Sequence, residues 1–273
     1  MKFKNMKRVV ALGLATMMAA AVVPASPVSA KTKYKTVKED GKEYIVFGSY
    51  EQDGDESNGK EPIEWEVLGK DKNGILVVSR YVLDVKPYNN GGSTATWQNS
   101  SVRKWLNKDF YKTTFDSKEK KKIKKVNLNN ADNKGYGIDG GKNTKDKVFC
   151  LSVDEISKWY EYSFYYDENN KDDAGYYNYG YCQDLLVLPT ASTKSKDIAY
   201  HEIDEDNYKE YYEWRGYTED CINHGGAYWW LRSPGMNSGE ACYVVSTGFT
   251  GDCISTFEDC TWIGVRPAMY LKK

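Results

Sequence analysis

Two short runs near the carboxyl end constrain this chain most. They are Ala227-Tyr228-Trp229-Trp230-Leu231-Arg232-Ser233-Pro234-Gly235 and Gly264-Val265-Arg266-Pro267-Ala268-Met269-Tyr270-Leu271. Each is apolar, bounded or interrupted by Pro and Gly, and carries one arginine. A guanidinium among Trp, Leu, Val and Met needs a carboxylate or carbonyl partner, because an unpaired buried charge is costly. Between the runs lies Ala241-Cys242-Tyr243-Val244-Val245-Ser246, then Thr247-Gly248, then Phe249 to Phe257. X-Gly between β-rich runs suits a two-residue hairpin, so this region predicts strand, tight turn, strand. The closing part of the chain is therefore expected to be a small antiparallel sheet holding two buried or half-buried arginines.

The opening part reads differently. Lys2, Lys4, Lys7 and Arg8 precede an apolar run from Val9 to Val23, and Val28-Ser29-Ala30 has the small residues of a cleavage site. This is the pattern of a secretory signal over residues 1–30. The apolar run falls short of the roughly 20 residues a membrane helix needs, and no membrane insertion is expected after cleavage. Residues 1–30 hold four basic groups and no acidic one, so the remainder has 34 basic against 39 acidic residues, a net charge of −5. That balance argues against nucleic acid or an anionic membrane as partner. A Lys-rich flexible leader is expected over 31–42, and one domain over 43–273.

Along that domain, Tyr44–Phe47 reads as a strand stopped by Gly48. Ile63, Trp65 and Val67 alternate with Glu64 and Glu66, a strand with one buried face. Asn73-Gly74 turns into a second strand, Ile75–Ser79. The clearest helix lies within Trp97–Phe115, with Ser100 or Ser101 as cap and Val102, Trp105 and Leu106 on one face. Ser117 caps a second, reaching about Ile123. Residues 127–147 are polar and Gly-rich, a long surface loop. A strand at Val148–Leu151 and a helix from Ser152 or Asp154 to about Tyr160 follow. The class is α+β: one loop-rich domain of short twisted strands and a few helices.

Candidate chemistry is sparse. Asp53, Asp55 and Ser57 have the spacing of positions 1, 3 and 5 of a calcium loop, with Glu64 at position 12. Asn58 stands where the sharp-turn glycine belongs and Glu64 falls in a strand, so a solvated acidic loop between strands is the expectation, with no cofactor required. Calcium is the one cofactor these residues suggest. His201 and His224 are the two neutral-pH bases, and neither sits in a nucleophile motif. The six cysteines show no Cys-x-x-Cys spacing for zinc. With Thr247-Gly248 as the turn, Cys242 falls opposite Cys253 in a hydrogen-bonded pair, the wider kind, so a bridge there demands strain or a bulge. Arg232 and Arg266 could clamp a ligand carboxylate. In such apolar surroundings the expectation is structural: loops tied through carbonyls or a buried acid.

Taken together, Phe47-Gly48-Ser49-Tyr50, Pro62-Ile63-Glu64-Trp65-Glu66-Val67-Leu68, Ser100-Ser101-Val102-Arg103-Lys104-Trp105-Leu106-Asn107, Trp230-Leu231-Arg232-Ser233-Pro234-Gly235 and Gly264-Val265-Arg266-Pro267-Ala268 resemble a domain family of unknown function common in exported proteins of Gram-positive gut bacteria. The resemblance runs from about residue 43 to 271. It implies that Trp230, Arg232, Pro234, Arg266 and Pro267 are structural. The closing half also looks like the C-type-lectin-like fold, shared with formylglycine-generating enzymes and hypervariable bacterial receptor proteins. In the oxidase branch two near cysteines bind copper, and the surroundings of Cys253 and Cys260 do not match. The function expected is a secreted, non-catalytic recognition module. It would bind extracellular glycan or protein through aromatic and acidic loops, with Tyr88, Trp97, Tyr136, Tyr176, Tyr177, Tyr179 and Trp214 as contacts. The alternative is a secreted hydrolase with a carboxylate pair that leaves no local signature. Export of the full chain by a bacterial host should release a protein beginning at Lys31, which intact-mass spectrometry would show. A product retaining residues 1–30 would overturn the signal assignment.

Overall fold

The computed structural model describes residues 34–39, 41–91, 96–134, 136–160, 183–196, 198, 226–245, 250–255 and 260–273. In chain order, β1 (Lys35–Glu39), β2 (Lys42–Tyr50), β3 (Glu61–Asp71) and β4 (Gly74–Ser79) form an antiparallel meander. The short β5 (Asp84–Val85) leads to α1 (Ser101–Trp105), a π-helical turn (Leu106–Phe110), α2 (Tyr111–Thr114) and α3 (Ser117–Lys120). Then come β6 (Ile123–Lys124), β7 (Val126–Leu128), β8 (Thr144–Asp146), β9 (Val148–Phe149), α4 (Val153–Trp159) and α5 (Ala191–Lys194). The chain closes with β10 (Trp229–Pro234), β11 (Glu240–Val244), β12 (Thr250–Ser255), β13 (Gly264–Val265) and β14 (Ala268–Leu271). Among the described residues the fold is mostly β-sheet with a few short helices and no barrel. No described helix is long and apolar enough to cross a membrane.

The larger sheet has the order β1-β2-β3-β4-β14-β6, with β9 also on β14. Its middle strand β4 is buried along its whole length, which its unbroken Ile-Leu-Val-Val run foretells. β3 buries Ile63 and Trp65, and the Trp65 indole donates to the Phe47 carbonyl at 2.6 Å. Opposite Ile63 the β2–β3 register slips. Phe47 and Gly48 together face one residue, a bulge. Gly48 has φ +71°, and a Cβ there would meet the Phe115 ring at 2.7 Å. The Phe-Gly-Ser-Tyr motif is thus the sequence of a packed bulge.

The second sheet runs β12-β11-β10-β13-β5. β10 pairs antiparallel with β11 but parallel with β13, so the expected all-antiparallel closing sheet is corrected to a mixed one. The reason lies at Arg266-Pro267. β13 belongs to this sheet and β14 to the larger one, and Pro267, having no N–H to give a ladder, marks the crossing. Its carbonyl accepts from Ser79 N at 2.8 Å.

Other local expectations are corrected in similar ways. The leader is, in its described part, an edge strand: Thr36 stands opposite Ile45, and Tyr34 packs edge-on against Phe47 while its hydroxyl donates to the Lys272 carbonyl at 2.7 Å. The helix expected within Trp97–Phe115 runs unbroken from Ser101 to Thr114, with a π-helical turn in its middle. Ser100 caps α1 by accepting from Arg103 N. The turn then widens where Asn107 reaches away, donating to the Val148 carbonyl at 2.8 Å and accepting from Lys147 N at 2.8 Å. Asp116 rather than Ser117 caps α3, in a reciprocal box with Glu119. α3 ends early because Ile123 is taken by β14. The loop expected over 127–147 is pinned at its base by the β7–β8 ladder.

Gly264 shows how tight the second sheet is. A Cβ on it would lie 2.2 Å from Val82 Cγ1, 2.8 Å from Ile198 Cδ1 and 3.0 Å from the Tyr228 carbonyl oxygen. Gly264→Ala should therefore lower stability by about 1–3 kcal/mol, read from the midpoint of urea unfolding. An unchanged midpoint would mean the strands part without cost.

Candidate functional site

The arginines of the two apolar runs come first, because a ligand clamp would need them open. Arg266 is 1 % exposed. Its Nε donates to the Ser79 carbonyl at 2.9 Å, its Nη2 to Glu66 Oε2 at 3.0 Å, and its guanidinium lies 5.0 Å over the Trp229 ring. Glu66 also takes Lys42 at 3.3 Å, which continues to Asp184 at 2.7 Å. Arg232 is 4 % exposed. Its Nη1 donates to the Cys150 carbonyl at 3.0 Å and to Glu155 Oε2, and its Nη2 to Glu155 Oε1 at 3.0 Å. Glu155 serves twice, since it also closes the capping box of α4 with Ser152. Trp230 donates to the Lys86 carbonyl at 2.9 Å, and the Pro234 carbonyl accepts from Asn133 Nδ2 at 3.2 Å. These residues join strands and helices, and neither guanidinium is presented to solvent.

Two of the expected aromatic contacts prove to be core. Tyr88 and Trp97 are both 0 % exposed. Tyr88 packs edge-on against Trp230 at 5.3 Å and donates to the Arg232 carbonyl at 3.2 Å. Trp97 donates to Asp146 Oδ2 at 3.0 Å, and that buried carboxylate also takes Arg103 Nε and Thr144 Oγ1. A polar tip that finds a buried partner lets the ring sink fully. Tyr136 is half-buried. Tyr176, Tyr177, Tyr179, Trp214, His201 and His224 lie outside the described residues.

The acidic loop brings together other residues than its spacing suggested. Glu64 sits in β3 and pairs with Arg80 at 2.8 Å, far from a twelfth loop position. Asp55 Oδ1 is taken by the Ser57 amide at 3.0 Å and the Ser57 hydroxyl at 2.6 Å. Asp53 groups instead with Glu51 and Glu61, one oxygen of each lying within 4.8 Å of the others. All three already serve the loop. Glu51 accepts from Gly54 N at 2.7 Å, Asp53 from Asp55 N at 2.8 Å and Asn58 Nδ2 at 2.8 Å, and Glu61 from Gln52 N at 2.6 Å. The hydrogen bond from Asn58 and those from loop amides hold the Asp53 carboxyl below its ordinary range.

The strand register around Cys242 differs from the simple hairpin count. Val244 stands opposite Thr250 and Tyr243 opposite Gly251, but the register then shifts and Ala241 faces Ile254. Asp252 and Cys253 together therefore face Cys242, and the one-to-one pairing becomes a bulge. The side chain of Cys253 lies outside the described residues. Cys242 is buried, and its sulfur donates to the Pro234 carbonyl at 3.2 Å. Burial pushes the Cys150 thiol up to about 12, which keeps it protonated and unreactive.

What sequence reasoning passed over is a group of three half-buried rings. Tyr228 and Tyr243 are stacked, with centroids 5.9 Å apart and planes 27° apart. Trp262 stands edge-on to Tyr228 at 5.5 Å. Tyr243 is the half-exposed residue between buried Cys242 and Val244 on β11. That alternation was the available signal: in a strand, neighbours point to opposite faces. Tyr228 is held from behind, its carbonyl accepting from Gly264 N at 2.8 Å. The rings thus form a supported aromatic surface at the end of the second sheet.

Removing Glu66 with Ala should cost about 3–5 kcal/mol in urea unfolding, because the Arg266 charge stays buried without its acid. Arg266 Nη1 is already buried without a hydrogen-bond partner. The double change Arg266→Met with Glu66→Leu should regain most of the loss. A single variant as stable as the parent would refute the structural role of the pair.

No curated protein and no solved structure matches the chain. The family described as Domain of unknown function (DUF6273) matches residues 72–273, which include both arginine runs, β4 and every later described element. With most of its length so matched, the chain belongs to the DUF6273 family of domains of unknown function.

Proposed function

We propose that this protein is an exported, non-catalytic recognition module that binds glycan on the Tyr228–Tyr243–Trp262 surface, the scaffold being C-type-lectin-like in arrangement. The observation that carries this reading is the ring group itself. Two stacked tyrosines and an edge-on tryptophan are each half-buried, packed on the core, with the Tyr228 carbonyl tied to Gly264 N. Rigid amphipathic rings give contact area at little entropic cost. The basic start, apolar run and small residues of 1–30 support export, and the acidic balance of the rest suits an extracellular rather than nucleic-acid partner.

The hydrolase alternative draws on Glu51, Asp53 and Glu61, whose spacing is near that of a retaining carboxylate pair. A glycosidase needs one carboxyl held protonated near neutral pH. Asp53 is shifted in the opposite direction, and the carboxylates are committed to loop amides. Binding is therefore preferred over turnover, and the reading requires no calcium.

The test is a glycan array probed with the mature chain, followed by affinity measurement on each hit. Tyr243→Ala and Trp262→Ala should each weaken binding about tenfold, roughly 1.4 kcal/mol, with unfolding midpoints close to the parent. Unchanged affinity in the double variant would overturn the site. Release of sugar from a hit, abolished by Glu61→Gln, would replace recognition by hydrolysis. Capture of a protein partner with no glycan hit would move the same surface to a protein ligand.

A further inference from the structure

Away from the aromatic surface, one charged cluster has more donors than the fold consumes. Asp84 on β5 is buried, and four donors converge on it. Oδ2 accepts from the Tyr50 hydroxyl at 2.5 Å and lies 3.3 Å from Lys86 Nζ. Oδ1 accepts from Val85 N at 2.8 Å and from Lys196 Nζ at 3.0 Å. A carboxylate offers about four acceptor positions, so Asp84 is saturated. Each ammonium has three donors and gives one to Asp84, which leaves two on each. Their side chains are 34 % and 42 % exposed, so those donors reach solvent.

The charges do not cancel. Burial, and then the charge of Asp84, push the Tyr50 hydroxyl above the ordinary phenol range, so it stays neutral. Burial alone would raise the Asp84 carboxyl, but Tyr50, Lys86 and Lys196 outweigh it and hold Asp84 low and ionised. Two cations around one anion leave one positive charge, and two like charges are kept near one another by a shared counter-ion. A single added negative charge would relieve that repulsion. The Lys86 ammonium also lies 5.2 Å from the centre of the half-buried Trp105 ring. A ligand carboxylate reaching Lys86 would thus bring its own carbon skeleton against an indole.

We infer that Lys86 and Lys196, gathered by Asp84, form a subsite for one acidic sugar unit, whose carboxylate takes the two ammoniums while its ring lies beside Trp105. One excess positive charge matches one carboxylate better than a doubly charged phosphate, and the adjoining indole favours an organic anion over a bare inorganic one. The inference rests on the glycan reading above for its biological sense, but it concerns a separate group of residues and can fail separately.

The test is an NMR titration of the mature chain, following the Trp105 indole signal. Methyl glucuronide is the probe, with methyl glucoside and sodium sulfate as comparators at matched ionic strength. The expected result is a saturable shift with the glucuronide and none with the glucoside. Lys196→Ala should weaken it about fivefold and Lys196→Arg should largely restore it, each read on a chain whose amide spectrum shows it folded. Lys196 is exposed enough for these variants to fold. No shift, or a shift indifferent to Lys196→Ala, would reduce the cluster to an internal ion pair and overturn the proposal. Equal affinity for sulfate would overturn the sugar assignment in favour of a general anion site. Loss of neutral-glycan binding in Tyr243→Ala is read in a different assay, so failure of the glycan reading is not confused with failure of this subsite.

Discussion

The contact between Arg266 and Glu66 carries the architecture. It lies where the chain leaves one sheet and enters the other, and its two residues are separated by 200 positions. A guanidinium that deep is tolerable only if its charge is matched and its donors are used. The acid comes from β3, the carbonyl from the end of β4 and the aromatic face from β10. One side chain thereby fixes three strands from two sheets. Pro267 sharpens the crossing, since it cannot donate to either ladder.

Arg232 repeats the scheme on the other side of β10. Its acid, Glu155, is also the residue that closes the cap of α4, so the register of a helix and the position of a strand depend on one carboxylate. Asp146 does the same for Trp97 and Arg103, and Asp84 for Tyr50 and two lysines. Three buried acids and the half-buried Glu155 thus act as nodes between distant segments. Such nodes gain little net energy after desolvation, but they are intolerant of the loss of one member. This explains how a chain of short strands and few helices, with little regular helical packing, adopts one arrangement.

The motifs that stand out in the sequence are therefore the sequence of a scaffold. Gly48 is a bulge, Gly264 a close approach between strands, and Arg232, Arg266 and Pro267 the joints. Any binding role falls to what the scaffold holds outward. Among the described residues the candidates are the rings around Tyr243 and the lysines around Asp84. Both sit on or beside the second sheet, whose strands hold them rigidly.

By itself the sequence determined the strands with period-two or unbroken apolar patterns, the serine-capped starts of α1 and α4, and the requirement that Arg232 and Arg266 find partners. These depend on neighbours along the chain, and local sterics and solvation suffice to decide them. It could not say which aromatic residues are buried. Tyr88 and Trp97 sit in polar, Gly-rich company that reads as surface, yet partners 144 and 49 residues away accept their donors and draw them inside. Nor could it place Glu64 on Arg80 instead of in an ion loop, or turn β1 from a leader into a paired edge. Only the tertiary structure decided those, because burial and pairing of a polar group are settled by what distant segments bring to it.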